Sequence, residues 1–177
     1  MSDPKPAILP GQDCIMCKQK TLTLTEMERD IPLFGKIVLF SMSCSSCKYH
    51  KSDVETLEKH DPAKYTFEVT NKKDLDVRII KSAEATVKIP HVGDMLPGPA
   101  SNGFVTNVEG LINRFVTQVE HLRDSAEEKS DRKKAKNLLK KISKVLAGTE
   151  KIKISIEDPT GNSAIVSDKA EKKKLKK

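Results

Sequence analysis

Apolar side chains recur at every second position through most of this chain, and at every third or fourth position through one stretch only. A period of two places alternate residues on one face of a strand, and a period near 3.6 makes one face of a helix. Residues 19–25 (Gln-Lys-Thr-Leu-Thr-Leu-Thr) alternate and predict a strand. A charged connection over 26–32 then ends at Pro32, and Ile37 to Met42 predict a second strand leading to Cys44. Further on, Tyr65 to Val69 alternate, as do Leu75, Val77 and Ile79, and then Ala85, Val87 and Ile89 before Pro90. The turns between these runs are short and hold no helix. That order predicts antiparallel strands in a sandwich or small barrel-like fold, not a doubly wound sheet. Pro97-Gly98-Pro99 predicts an irregular loop that runs on through Gly103.

The helical period begins after that loop. Val108, Leu111, Ile112, Phe115, Val116, Val119 and Leu122 give one apolar face. Thr106 with Glu109 has capping-box spacing, and Asn107 is the competing cap. A second helix is expected over about 131–146, burying Ala135, Leu138, Leu139, Ile142, Val145 and Leu146 and stopping at Gly148. The short charged connector makes the pair a hairpin at about 107–147, packed on a sheet. Period two returns with Ile152, Ile154 and Ile156, a turn follows at Asp158-Pro159-Thr160-Gly161, and Ile165-Val166 begin a closing strand. The expected fold is mostly β with a helical hairpin. Its organisation is a finger over 9–58, a β-domain over 59–167 and a basic tail over 168–177.

The chain has 177 residues, 37% of them hydrophobic and 32% charged. No apolar run approaches the ~20 residues of a membrane-spanning helix. Residues 1–6 read as a disordered lead without the apolar core of a signal peptide, so a cytoplasmic location is expected. The net charge is +7. Residues 169–177 hold six lysines and one glutamate, which supplies five of those seven charges and leaves a mildly basic remainder. Such a tail serves either for solubility or for weak, non-specific, salt-dependent contact with RNA or another polyanion.

All four cysteines fall in two pairs, Cys14-Ile15-Met16-Cys17 and Cys44-Ser45-Ser46-Cys47. Two thiolates separated by two residues bite one metal ion, and two such pairs complete the tetrahedron of a closed structural zinc site. Iron or cobalt are the rival metals, and two disulfides the metal-free alternative. The expectation is one structural Zn2+, held by Cys14, Cys17, Cys44 and Cys47. His50 is the nearest histidine and reads as a surface or outer group, because the tetrahedron is already filled. Lys18 and Lys48 follow the second cysteine of each pair, where a left-handed backbone favours glycine. No phosphate-cradling glycine loop, His-Glu-x-x-His pair or serine nucleophile elbow is present. Asp53, Glu55, Asp74 and Asp76 read as solvated carboxylates on extended segments. No enzyme is expected.

A more specific signal lies in the phrases around the cysteines: residues 31–37 (Ile-Pro-Leu-Phe-Gly-Lys-Ile), 40–47, 51–54, 76–83, 89–90, 108–112 and 157–163 (Glu-Asp-Pro-Thr-Gly-Asn-Ser). Together they resemble the ZPR-type zinc-finger family in the single-copy form that archaea carry; eukaryotic members resemble two such units in tandem. The resemblance implies a four-cysteine zinc ribbon joined to a double-stranded β-helix-like domain with a helical hairpin. It carries the ligand role to the four cysteines, a strand motif to Arg78, Lys81 and Ser82, and a turn motif to Asp158, Gly161 and Asn162. Lys18 and Lys48 depart from the glycines usual after the knuckles. The resemblance also implies binding to translation elongation factor 1-alpha or its archaeal counterpart, as a folding factor or adaptor. Ile15, Met16, Ser45, Ser46, Arg78 and Lys81 are the partner-binding candidates, with Met16 either at the contact or packed on the protein's own sheet. RNA binding through finger and lysine tail, and a zinc-stabilised enzyme, are the alternatives.

Overall fold

The computed structural model describes residues 5–32 and 34–175. The first four residues of the expected lead, Leu33 and the last two lysines of the expected tail lie outside them. Four antiparallel strands form the first sheet, in the order β1 (Ala7–Gln12), β2 (Leu22–Ile31), β3 (Gly35–Cys44), β4 (His50–Thr56). β2 and β3 pair without interruption from Leu22 opposite Cys44 to Ile31 opposite Gly35. The expected charged connection over 26–32 is therefore the second half of a long strand. Glu26, Glu28 and Asp30 occupy one face of it and Met27, Arg29 and Ile31 the other, a period of two in which charge replaces the polar partner. Ile31, Ile37 and Val54 at the base of this sheet join the main core. β1 was not expected, because Pro10-Gly11 interrupt it; the pairing with β2 shifts register between Leu9 and Gln12.

The remaining strands are β5 (Ala63–Val69), β6 (Arg78–Lys81), β7 (Thr86–Ile89), β8 (Gly93–Met95), β9 (Phe104–Asn107), β10 (Ile152–Asp158), β11 (Ala164–Val166) and β12 (Glu171–Lys174). They build a five-stranded sheet in the order β12-β5-β10-β7-β8 and a three-stranded sheet in the order β11-β6-β9. One core joins them: Tyr65, Phe67 and Val69 from β5, Ile152, Ile154 and Ile156 from β10, Ile79 and Ile80 from β6, and Ile165 from β11. Part of the expected tail is thus a strand, with Glu171 to Lys174 paired against Thr66 to Ala63.

Leu75, expected in a strand, sits in a 3-10 turn, Lys72–Asp76. Asn71 caps it by accepting a hydrogen bond from the Lys73 amide. Asp74 is buried there and accepts from the Thr70 amide at 2.9 Å, the Thr70 hydroxyl at 2.8 Å and Lys169 Nζ at 2.8 Å. It is neither on a strand nor solvated. The turn exists because Asn and Asp side chains satisfy local amides that a strand would leave to a neighbour.

The helices are α1 (Val108–Ser125) and α2 (Lys129–Leu146), longer toward each other than expected. Asn107 is the cap of α1, its side chain accepting from the Gly110 amide at 2.8 Å. Gly148 follows α2 with φ +76°, as a left-handed stop requires. Val108, Leu111, Ile112, Phe115, Ile142 and Val145 pack into the core. Leu122 does not: it is 65% exposed. Leu139 is only half-buried, so the weight of α2's packing rests on Ile142 and Val145. None of the helices among the described residues is long and apolar enough to cross a membrane.

Candidate metal centre

β2 and β3 carry the chain to the far end of the first sheet, where the cysteines meet. Cys44 ends β3 and pairs with Leu22. Cys14-Ile15-Met16-Cys17 closes a turn in which the Lys18 amide donates to the Cys14 carbonyl at 2.9 Å and the Cys14 amide to that of Gln19 at 2.9 Å. In the second turn the Cys44 amide donates to Tyr49 O at 2.8 Å. Lys18 and Lys48 both have φ +62°, so each knuckle bears a side chain in the left-handed region. Little else holds this end together: a small core of Cys14, Leu22 and Cys44, with Leu24, Met42 and Tyr49 against it.

The four sulfurs lie within 4.8 Å of one another. Cys14 Sγ is 3.7 Å from Cys47 Sγ, and Cys17 Sγ is 3.7 Å from Cys44 Sγ. Those separations are far beyond the ~2.0 Å of a disulfide. They match the edge of a tetrahedron with metal–sulfur bonds of ~2.3 Å, which is about 3.8 Å. The donor set is all thiolate, and the cluster is capable of coordinating a metal ion. The proton balance points the same way. A hydrogen bond with Thr21 Oγ1 at 3.2 Å, then one from the Cys47 amide at 3.5 Å, lower Cys44 to about 6. The Tyr49 amide acts to lower Cys47, but desolvation and the neighbouring sulfurs outweigh it and push that thiol up to about 12. Thiols bind a metal as thiolates, so binding a metal at this cluster releases protons. Thr21 was missed in the sequence; a hydroxyl one residue before the strand opposite Cys44 was the available signal.

His50 stands apart from the cluster, its Nδ1 2.9 Å from Ser43 Oγ. Ile15 and Met16 are 56% and 65% exposed, and Ser45 and Ser46 are exposed in the facing turn. Met16 does not pack on the sheet. Arg78 is exposed, whereas Lys81 is 0% exposed and offers nothing to a surface. Lys81 Nζ donates to Ser82 O at 2.9 Å among carboxylates of Asp53 and Asp158; burial lowers its pKa and those two charges oppose the shift. Asp158 extends the inward register of Ile152, Ile154 and Ile156, and accepts from Ser82 Oγ at 2.8 Å and from Ser163 Oγ. Asp53, expected to be solvated, accepts from the Ala83 amide at 2.8 Å. A side chain at Gly103 would run into the Asp53 carboxylate and meet the Val54 amide nitrogen at 2.7 Å, so only glycine fits beside this joint. The joint fastens β4 of the first sheet to the strands behind it.

A thiolate-cornered ribbon fastened to a two-sheet β-domain defines a class of metal-ribbon protein. Comparison narrows it. Residues 9–62 match the ZPR1 zinc-finger domain and residues 73–177 the ZPR1 jelly-roll domain, and the chain belongs to the ZPR1 family. An uncharacterized ZPR1-like protein of Methanocaldococcus jannaschii is 37% identical over 165 residues, 92% of this chain and 83% of its own. Another, from Pyrococcus horikoshii, is 36% identical over 170 residues, 93% of this chain and 76% of its own. A zinc finger chaperone of Schizosaccharomyces pombe is 31% identical over 139 residues, 76% of this chain but 30% of its own length.

Proposed function

We propose that this chain holds one structural zinc ion and, without catalysing a reaction, binds another protein as a folding factor or adaptor. The client proposed is translation elongation factor 1-alpha or its archaeal counterpart. One observation carries the reading. Ile15 and Met16 stand in solvent at the tip of a ribbon whose own core is too small to fix them without a metal. Apolar side chains held out in this way are costly unless covered, and methionine adapts to irregular partner surfaces. A refolding GTPase exposes the kind of surface that would cover them. The fission-yeast relative, a zinc finger chaperone, supports the same role.

The test is capture of purified elongation factor, in nucleotide-bound and nucleotide-free forms, by zinc-loaded protein and by the Ile15→Ser/Met16→Ser variant, followed by a refolding assay. Capture by the native protein, loss in the variant and a higher refolding yield are expected. No capture in either nucleotide state, with zinc retained, overturns the reading. Capture without improved refolding leaves an adaptor and removes the chaperone role.

A further inference from the structure

The net charge of the chain is not where its carboxyl end suggests. α2 alone carries seven lysines and one arginine against Asp131, a net +7 that equals the charge of the whole chain. Its partner in the hairpin, α1, has two arginines against three carboxylates. The lysines of α2 are ordered. At 100° per residue, Lys129, Lys133, Lys136, Lys140 and Lys144 fall within one narrow sector, opposite the side that buries Ile142 and Val145. All five are exposed. Among the described residues none of their ammonium groups takes part in an ion pair or hydrogen bond; the helix's one acidic residue, Asp131, is engaged by Lys134 at 2.8 Å. A solvated helix face ordinarily interleaves glutamate with lysine at spacings of four, which attracts; this face sets lysine four residues from lysine, which repels.

We propose that this stripe on α2 binds the phosphate backbone of a nucleic acid, independently of the finger. From Lys129 to Lys144 the helix rises about 22 Å, with one cation per turn. A duplex presents a charge about every 1.7 Å of its axis, so on the order of a dozen phosphates lie alongside the stripe. The flanking residues of the same side, Asn137, Lys141 and Ser143, are polar. An acidic protein surface is the poorer match, since the centres of protein interfaces are apolar and depleted in lysine. With no aromatic side chain in α2, the site has no platform for stacking a base, and the contact reads backbone rather than sequence. The lysines of β12 lie on another element and are not required.

The test is fluorescence anisotropy with labelled duplex RNA, duplex DNA and single-stranded RNA, using the zinc-loaded full chain at several salt concentrations. Five contacts predict a slope of log K against log salt near −4.5 for a duplex, a loss of several hundredfold between 50 and 200 mM. The three probes identify which backbone is preferred. Lys133→Gln/Lys136→Gln/Lys140→Gln/Lys144→Gln, in which glutamine preserves helix propensity, is expected to weaken binding at least tenfold and flatten the slope to about −1. Arginine at the same four positions is expected to retain binding, which separates charge from folding. Unchanged binding in the glutamine variant overturns the proposal. So does loss of binding in Lys172→Gln/Lys173→Gln/Lys174→Gln alone, which would move the contact to β12. Tighter binding of polyglutamate than of any nucleic acid would assign the stripe to an acidic protein and overturn it as well.

Discussion

Replacing Lys18 and Lys48 together by glycine should tighten the hold on the metal. Both residues have φ +62°. A side chain in that region costs about 1–2 kcal/mol through the contact of Cβ with the following carbonyl. Glycine avoids this cost but gives back about 0.5–1 kcal/mol, because its unfolded chain is freer. The Lys48 Nζ bond to Ser45 O, 2.9 Å long and exposed, offsets only a little more. The net gain is about 0.5–1 kcal/mol per knuckle and about 1–2 kcal/mol for both. The knuckles are fixed only when four sulfurs share a cation, so the gain belongs to the loaded state. It should appear as zinc affinity raised about 5- to 30-fold in competition with a chelator. Lys18→Ala/Lys48→Ala is the control, since alanine keeps Cβ and gains nothing. An unchanged affinity in the glycine variant, or an equal gain in the alanine variant, would refute the strain argument.

Asp74 supplies a pH dependence. Burial acts to raise its pKa, yet Lys169 and the two Thr70 donors outweigh it and hold the carboxyl down at about 2, against 3.8 ordinarily. A depressed folded value stabilises above the unfolded pKa and is lost as pH falls through about 2; Asp74→Asn should therefore cost about 2 kcal/mol at pH 7 and nothing below pH 2, measured by urea denaturation across pH. Ile142→Ala, at a side chain 1% exposed, should cost about 2–5 kcal/mol, and Leu139→Ala clearly less; equal losses by denaturation would place the helix differently. Chelating the metal should abolish hydrogen-exchange protection around residues 14–22 and 44–49 while sparing Ile37 and Val54, which the main core holds; loss across β5 and β10 as well would show that the ribbon and the β-domain fold as one unit.

The cysteine spacing, the helical hairpin and the isoleucine alternation of β10 were legible because each is a local pattern with one dominant period. Where local chemistry competed, the reading failed. Leu75 fitted a period of two, yet Asn71 and Asp74 closed a turn around it. The acidic half of β2 has the composition of a connection, because Glu26, Glu28 and Asp30 fill one face of the strand with charge. Lys81 was a partner-binding candidate through its strand motif, yet it is buried beside Asp53 and Asp158, which distant strands bring to it. That neighbourhood has no trace in the residues adjoining Lys81. The lysines of α2 are legible in the sequence, at spacings of three and four with no glutamate between them, although the run after residue 168 is denser.

β12 gives the carboxyl end a second meaning. Its four residues are exposed throughout and cover the outer edge of β5, whose other edge is taken by β10. Shortened before Lys169, the chain would lose the cation that meets Asp74 and would bare the main-chain donors and acceptors of β5. An open edge beside Tyr65 and Phe67 is a template for another copy of the same strand. Lysines on a strand that ends a sheet also discourage the next strand from joining. The basic end thus works as a selvedge, keeping the weave closed whatever else its charge attracts.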